Sequence, residues 1–245
     1  MRGTYRIADK VIAIDSRYAL IHEQCRQYRV FGMPDFVVET TLADIAFEKE
    51  KSGREDCSVK NRRPQLVSDA CLETLAVYRK IAERMPAWNT VLFHGSAIAV
   101  DGRAYLFAGR SGIGKSTHAR LWREFLGSRA VMINDDKPLI RIAENESIVY
   151  GTPWDGKHHL SRNIAIPLKA VCFLEQADEN SIASVSPGEA LVLLLQQTYR
   201  PADPAALSQT LSLADNLSRL VKMYRLRCNM QISAAELSWN TVKEG

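Results

Sequence analysis

Residues 103–122 have the sequence RAYLFAGRSGIGKSTHARLW, in which three local patterns follow one another. The run RAYLFA predicts a strand. The next seven positions hold three glycines and a lysine, which predicts a loop. Ala119, Leu121 and Trp122 then continue the apolar pattern of a helix, which Gly127 can end. The stretch therefore predicts a strand, a glycine-rich loop and a helix in direct succession, and it indicates an α/β fold.

The loop satisfies the pattern G-x-x-x-x-G-K-[ST] in the setting that this pattern requires. Glycines allow backbone angles that turn successive N–H groups toward a phosphate, and the amino end of the following helix adds a favourable potential. Lys115 can contact the terminal phosphates, and the Ser116 hydroxyl can ligate Mg²⁺. We therefore expect ATP and Mg²⁺ as ligands. The residues predicted to bind the phosphates are Gly109, Ser111, Gly112, Ile113, Gly114, Lys115, Ser116 and Thr117.

Two adjacent carboxylates, Asp135 and Asp136, follow the predicted strand RAVMIN. We expect this strand to neighbour the one before the glycine-rich loop, which would bring a carboxylate to the metal. Side chains alternate along a strand, so the two carboxylates point differently. One can hold Mg²⁺ while the other takes a proton from an incoming hydroxyl. The alternative is a solvated turn, because Asp-Asp-x-Pro is also typical of turns.

Two further candidates flank these motifs. His94 lies in the middle of the predicted strand VLFHGSAIAV, where it is either a site residue or a core histidine with a hydrogen-bond partner. The Asp-Gly pair at 101–102 joins that strand to RAYLFAG in a predicted hairpin. Lys157, in the loop VYGTPWDGKHHL, can contact the transferring phosphate or an acidic substrate group. The adjacent His158 and His159 are predicted to be solvated rather than to ligate a metal.

The beginning of the chain has a different character from the rest. Residues 11–14 and 36–41 predict strands, and the polar stretch 47–65, which is mixed in charge, predicts a solvated loop. We expect an N-terminal α+β extension over residues 1–88 and a phosphate-loop catalytic domain over residues 89–245.

Helix ends are visible at three places. Ser68 can cap a helix that Pro86 stops, and capping boxes at 186–189 and 233–236 open two more. Between these two boxes, MYRLRC predicts an edge strand, while PLIRIAENESIVYG predicts a hairpin and IPLKAVCFLEQ a further strand. The apolar positions of the first of these helices are Cys71, Leu75, Tyr78, Ala82 and Met85.

The composition excludes several classes of protein. Of the 245 residues 46% are hydrophobic and 24% charged, with a net charge of +4, and no apolar run approaches a membrane span of roughly 20 residues. The small, dispersed charge argues against nucleic-acid binding. Five cysteines without a CxxC pair fit a reducing compartment, with Cys71 and Cys172 expected in the core. With no secretory signal pattern at the start, we expect a soluble, cytoplasmic protein.

Together, HGSAIAVDGRAYLFAGRSGIGKSTHA, NDDKP and GTPWDGK resemble the catalytic domain of HPr kinase/phosphorylase and its relatives in the phosphoenolpyruvate-carboxykinase-like class of phosphate-loop proteins. Similar kinases act on precursor peptides in lasso-peptide gene clusters. The likeness covers about residues 90–228. It implies a compact mixed sheet with the phosphate loop at one end and helices near the C-terminus, rather than a long doubly wound parallel sheet.

The resemblance also implies ATP-dependent phosphorylation of a serine hydroxyl. Lys115 and Ser116 match the family's phosphate and magnesium residues, His94 its histidine ahead of the loop, and Asp135 its general base beside metal-binding Asp136. The glycine-rich signature that accompanies the family's dephosphorylating activity is missing after the aspartates. GTPWDGK stands there instead, which is closer to the peptide and serine kinase branch than to the enzyme that acts on HPr.

Three functions remain open on the sequence. The first is a kinase whose acceptor is a peptide, a protein or a small molecule, and which the resemblance makes a candidate homo-oligomer. The second is a nucleotide-dependent switch without a phosphoacceptor. The third is a carboxykinase-like enzyme, with Arg162 and Arg200 as candidates for a pocket that binds a small acid. The sequence leaves open the acceptor, the choice between ATP and GTP, and the role of residues 1–88.

Overall fold

The computed structural model describes residues 1–58, 67–156 and 159–244. The chain divides into two compact units, Met1–Arg84 and Met85–Gly245. Both combine helices with a sheet, so the mixed α/β architecture that the sequence predicts is confirmed. Across the described ranges, no helix has the length and hydrophobicity needed to cross a membrane.

The first unit contains a small sheet and its helices. Its strands are β1 (Arg2–Ile7), β2 (Lys10–Asp15) and β3 (Phe36–Glu39), and its helices are α1 (Leu20–Gln24), α2 (Leu42–Ser58) and α3 (Asp69–Arg84). The strand order is β1-β2-β3, with an antiparallel pair followed by a parallel one. The strands predicted at 11–14 and 36–41 correspond to β2 and β3.

Helix α2 corrects the prediction of a solvated loop at 47–65, because the helix continues to Ser58. Glu and Lys, which dominate this stretch, are good helix formers even when they supply no apolar face. Packing against α3 adds ion pairs: Arg79 Nε contacts Glu48 Oε1 at 2.6 Å, and Lys80 Nζ contacts Asp44 Oδ2 at 2.7 Å. Residues 59–65 of the predicted loop lie outside the described residues.

Helix α3 confirms the helix predicted after Ser68, whose hydroxyl accepts a hydrogen bond from Cys71 N at 3.3 Å. Its buried face carries Leu72 and Ile81, whereas Cys71 is exposed. The buried carboxylate of Glu73 lies on the same face, where it accepts hydrogen bonds from two backbone N–H groups just before α1. The expectation that Cys71 is a core residue is therefore wrong.

Within the described residues, nine strands form the mixed sheet of the second unit. The strands are β4 (Thr90–Leu92), β5 (Gly95–Val100), β6 (Arg103–Ala108), β7 (Ala130–Asn134), β8 (Leu139–Ile142), β9 (Ser147–Tyr150), β10 (Ala165–Gln176), β11 (Ser181–Ser184) and β12 (Lys222–Cys228). The helices are α4 (Lys115–Leu126), α5 (Pro187–Gln197), α6 (Pro204–Leu220) and α7 (Ile232–Val242).

The long strand β10 joins the two parts of this sheet. Its first residues pair antiparallel with β9, and the remainder pairs parallel with both β6 and β12. The order β4-β8-β9-β10-β6-β5-β7 results, with β12 beside β10 and β11 outside β12. The prediction of an edge strand at MYRLRC is therefore wrong, because β12 lies between β10 and β11.

Helices cover both faces of the sheet, as the alternation along β6 requires. Tyr105 and Phe107 belong to a cluster with Trp122 of α4 and Trp239 of α7. Leu106 points to the opposite face, whose cluster includes residues of α5 and α6. Cys172 is buried, as predicted.

The capping predictions for the C-terminal helices have different outcomes. Ser186 caps α5 by accepting a hydrogen bond from Glu189 N, as predicted. The second box, at 233–236, is misplaced: α7 already begins at Ile232, with Gln231 as its N-cap and no side-chain cap.

Strand direction brings three chain segments to one edge of the sheet. β5 lies between β6 and β7 and is antiparallel to both, with Gly95 opposite Ala108 and Ala97 opposite Asn134. The carboxyl ends of β6 and β7 therefore meet the amino end of β5. The glycine-rich loop, the paired aspartates and His94 follow or precede these ends directly.

Candidate functional site

The glycine-rich loop connects β6 to α4 without a side-chain cap on the helix. Gly109 and Gly114 have φ angles of 146° and 109°, in the region that side chains disfavour. A Cβ at Gly109 would also come within 3.1 Å of Ile113 Cγ2. The first N–H groups of α4 are thus not bonded to a capping side chain, which suits an anion.

The ammonium group of Lys115 lies over this loop. Its Nζ donates to Gly109 O at 2.9 Å and to Arg110 O at 3.3 Å. Burial lowers the pKa of Lys115, with Lys137 acting in the same direction and Asp136 opposing it. Lys115 is therefore a partly desolvated cation held at the loop, and an anion would interact with it more strongly than with a lysine in water.

Asn134 organises the turn that carries the two aspartates. Its Oδ1 accepts from Asp136 N at 2.9 Å and from Lys137 N at 2.6 Å. Its Nδ2 donates to Thr152 Oγ1 at 3.0 Å and to Trp154 O at 3.2 Å. Sequence reasoning missed this residue, although an Asn at a strand end is itself a turn signal.

Asp135 is buried, with 4% of its surface exposed, and a second loop holds its carboxylate. Gly156 N donates to Asp135 Oδ1 at 2.5 Å. A Cβ on Gly156 would lie 2.6 Å from Asp135 Oδ2, so the close approach depends on glycine. The loop after β9 therefore packs directly on the carboxylate that ends β7.

Asp136 is half-buried beside two basic side chains. Its Oδ2 lies 2.9 Å from Lys137 Nζ, and its Oδ1 lies 3.5 Å from His94 Nε2. The two aspartates differ as expected from adjacent positions, because Asp135 contacts the second loop and Asp136 contacts His94. The strand they follow does not neighbour β6, however, since β5 separates the two.

His94 lies at the break between β4 and β5, not in the middle of one strand as predicted. The backbone N–H of His94 donates to the backbone carbonyl oxygen of Gln197 at 2.7 Å. Burial lowers the pKa of His94, Lys115 lowers it further, and Asp136 opposes both. The neutral imidazole is therefore favoured near pH 7, and its Nε2 faces Asp136.

A cleft of about 450 Å³ lies among these groups. The predicted site residues that line it are His94, Ser111, Gly112, Gly114, Lys115, Ser116, Thr117, Asp135 and Asp136, together with Gly156. Gly109 and Ile113 do not line it; Ile113 packs against the cluster that contains Trp122 and Trp239. Arg162 and Arg200 are exposed and do not line it either. Lys157 and His158 lie outside the described residues, and the exposed His159 contacts Asp155.

The oxygen groups of this cleft fit a magnesium ion bound together with phosphate. In the ranges that the structure describes, no group of three or more His, Cys, Asp or Glu side chains could hold a metal by itself. Mg²⁺ on a nucleotide needs only one or two protein oxygens besides the phosphates. The Ser116 hydroxyl and the Asp136 carboxylate, which line the same cleft, are of that kind.

The fold and the cleft define a mixed α/β protein with a glycine-rich loop and paired carboxylates at one edge of its sheet. The family model described as SynChlorMet cassette protein ScmC matches residues 57–237, which is more than half of the chain. The protein therefore belongs to this family.

Two other comparisons add little to this assignment. No curated protein is significantly similar to the chain. Among solved structures, the HPr(Ser) kinase/phosphatase from Coxiella burnetii matches 62% of this chain and 97% of its own, with 12% identity and a TM-score of 0.37. A likeness at that level carries no argument about function.

Proposed function

We propose that the protein is an ATP- and Mg²⁺-dependent kinase that transfers the γ-phosphoryl group to a serine hydroxyl of a peptide or protein. A small-molecule hydroxyl is the second choice of acceptor. The observation that carries the proposal is the convergence of Lys115, Asp135, Asp136 and His94, from separate chain segments, on one cleft of about 450 Å³.

Phosphate binding is assigned to the glycine-rich loop and Lys115. An incoming phosphate would replace the carbonyl groups of Gly109 and Arg110 as the partners of the Lys115 ammonium. The uncapped amino end of α4 supports the same assignment, because its N–H groups attract an anion.

Asp135 is assigned as the general base. The proton of the acceptor hydroxyl passes to the Asp135 carboxylate, a bond forms between the acceptor oxygen and the γ-phosphorus, and the bond from that phosphorus to the bridging oxygen breaks. ADP leaves with the electron pair. The Gly156 N–H fixes Oδ1 of Asp135, and Oδ2 is assigned as the oxygen that takes the proton.

Asp136 and Ser116 are assigned to the metal. Bound Mg²⁺ would neutralise charge on the β- and γ-phosphates. His94 is a positioning residue in this scheme: its neutral ring lies 3.5 Å from Asp136 Oδ1 and can orient that carboxylate by donating a hydrogen bond. A contact of Lys157 with the transferring phosphate stays a prediction.

The test follows the label from γ-labelled ATP. The pure 245-residue chain is incubated with Mg²⁺ and a lysate of its source, beside Asp135→Asn and the control Asp215→Asn, which changes a carboxylate paired with Arg219. We expect label on a peptide, a protein or a metabolite, retained by the control and lost in Asp135→Asn.

Two outcomes would overturn the proposal. Label released only as inorganic phosphate would favour the nucleotide-dependent switch. Label transferred normally by Asp135→Asn would refute the assignment of the base. Binding of ATP by Asp135→Asn, measured by calorimetry, separates a lost base from a misfolded protein.

A further inference from the structure

A second cavity, of about 400 Å³, adjoins the cleft and shares Ser116, Thr117 and Asp135 with it. The general base proposed above therefore lines both spaces. The other walls of this second cavity are Arg120, Arg123, Met132 and Leu160.

The two arginines give the second cavity a positive charge. They are three positions apart on α4, so they lie on one face of the helix. The Arg120 side chain is 62% exposed and pairs with Glu124, at 3.2 Å along the same helix, which is a weak interaction in water. The Arg120 guanidinium can therefore leave Glu124 and bind a ligand with only a small loss of free energy.

Arg123 points to an anionic ligand more strongly than Arg120 does. It is half-buried and has no carboxylate partner within the described part of the chain. A partly desolvated guanidinium normally finds an anion, and its planar donors suit a carboxylate or a phosphate. Among the described residues that line the second cavity, Asp135 is the one with a carboxylate. The described lining therefore carries two positive charges, on Arg120 and Arg123, and one negative charge, on Asp135.

The remaining walls are apolar. Met132 is a buried residue of β7, three positions before Asp135, and Leu160 is half-buried. A ligand with an apolar stem and a charged end would satisfy both parts of this surface. The side chains of Glu and Asp have that form, whereas a free phosphate lacks the stem.

We infer that the second cavity is the acceptor subsite and that Arg120 and Arg123 select a peptide whose reacting serine is flanked by acidic side chains. The inference rests on the proposed kinase function. With the phosphates of ATP in the cleft, a hydroxyl that enters from the second cavity reaches Asp135, which lines both. The flanking carboxylate then pairs with the arginines.

The test uses two short peptides, each with one serine, flanked by glutamates in one and by glutamines in the other. We expect the 245-residue protein to prefer the glutamate peptide about tenfold in kcat/KM, equivalent to about 1.4 kcal/mol, because the charged flanking side chains pair with the arginines. In Arg123→Gln this ratio should fall close to one through a higher KM for the glutamate peptide. The control Arg103→Gln changes an exposed arginine outside the cavity and should keep the ratio.

A charge exchange makes the inference specific. Arg123→Glu should prefer a third peptide, with lysines beside the serine, over the glutamate peptide. Retention of the glutamate preference in both Arg123 variants would overturn the inference. A loss of ATP affinity in Arg123→Gln, with the peptide preference unchanged, would overturn it too, because the arginines would then contact a phosphate of the nucleotide.

Direct binding distinguishes this inference from the kinase proposal. Anisotropy of the labelled glutamate peptide is measured on the 245-residue protein with ATP and Mg²⁺, without following transfer. Weaker binding in Arg123→Gln than in wild type supports the subsite even if no phosphoryl transfer is found. Transfer to both peptides at equal kcat/KM would leave the kinase proposal standing and refute the acidic subsite.

Discussion

Gly156 donates its backbone N–H to Asp135 Oδ1 at 2.5 Å, which joins the loop after β9 to the carboxylate at the end of β7. The chain separates these residues by two strands, β8 and β9. The position of Asp135 therefore depends on a loop that is remote in sequence, and changes in that loop should act on the carboxylate.

Gly156→Ala tests this dependence. The new Cβ would lie 2.6 Å from Asp135 Oδ2, so the carboxylate or the loop must move. We expect phosphoryl transfer to fall about a hundredfold, because a displacement of about 1 Å has an effect of that size. Gly188→Ala is the control, since its added Cβ would meet no atom within 4 Å beyond its chain neighbours and the backbone of its own helix. Equal transfer rates for both variants would contradict the role of the contact.

Asn134→Ala should destabilise the protein. The fully buried side chain bonds both to the aspartate turn and to the loop beyond β9, so its loss leaves backbone donors without a partner. We expect the free energy of unfolding to fall by about 3 kcal/mol, as for a buried unsatisfied group. Urea denaturation measures this, with Asn240→Ala, an exposed position on α7, as the control. If Asn240→Ala lowered the free energy of unfolding as much as Asn134→Ala, the role of the Asn134 hydrogen bonds in stability would be refuted.

Lys115→Met should abolish tight ATP binding. Methionine keeps the length of the side chain but removes the cation that the loop carbonyls hold. Calorimetry should show a Kd about a hundredfold higher, equivalent to roughly 2.7 kcal/mol. Lys222→Met, at an exposed end of β12, should bind ATP like wild type. An ATP affinity of Lys115→Met equal to that of wild type would refute the assignment of phosphate binding to this loop.

Acid should weaken the second unit through His118. Burial lowers the pKa of His118 to about 4, and its Nδ1 has no hydrogen-bond partner among the described residues. The unfolded state, with a pKa near 6.5, takes up a proton first as pH falls, so stability present above pH 6.5 is lost toward pH 4. The loss attributable to His118 is about 3 kcal/mol.

Denaturant titrations at pH 7, 5.5 and 4.5 measure this loss. His118→Gln should be less stable at pH 7 but should lose less on acidification, because the titrating group is gone. His159→Gln changes an exposed histidine and should follow wild type at every pH. Parallel pH profiles for wild type and His118→Gln would contradict the assignment.

Local patterns predicted the segment around the phosphate loop well. The strand, loop and helix occur in the expected order, and Asp101 and Gly102 take positive φ angles in the hairpin turn between β5 and β6. These features depend on neighbours along the chain, so a single sequence contains the information. Ser68 and Ser186 are caps for the same reason.

Features that depend on distant partners could not be predicted in this way. The position of β12 inside the sheet depends on pairing with β11, and the break at His94 arises because β4 pairs with β8 while β5 pairs with β6 and β7. Helix α2 is stabilised partly by ion pairs with α3, which no local pattern shows. The bonds of Asn134 to Thr152 and Trp154 likewise require the fold to bring them together.

The placement of β5 between β6 and β7 has a consequence for the dimensions of the site. Neighbouring strands lie roughly 4.8 Å apart, so the strand that leads into the loop and the strand that ends at the aspartates are separated by roughly 10 Å. Two hydrogen-bonded ladders, between β6 and β5 and between β5 and β7, hold this width. The distance between the two strand ends from which the phosphate loop and the aspartates continue is thus a property of the sheet.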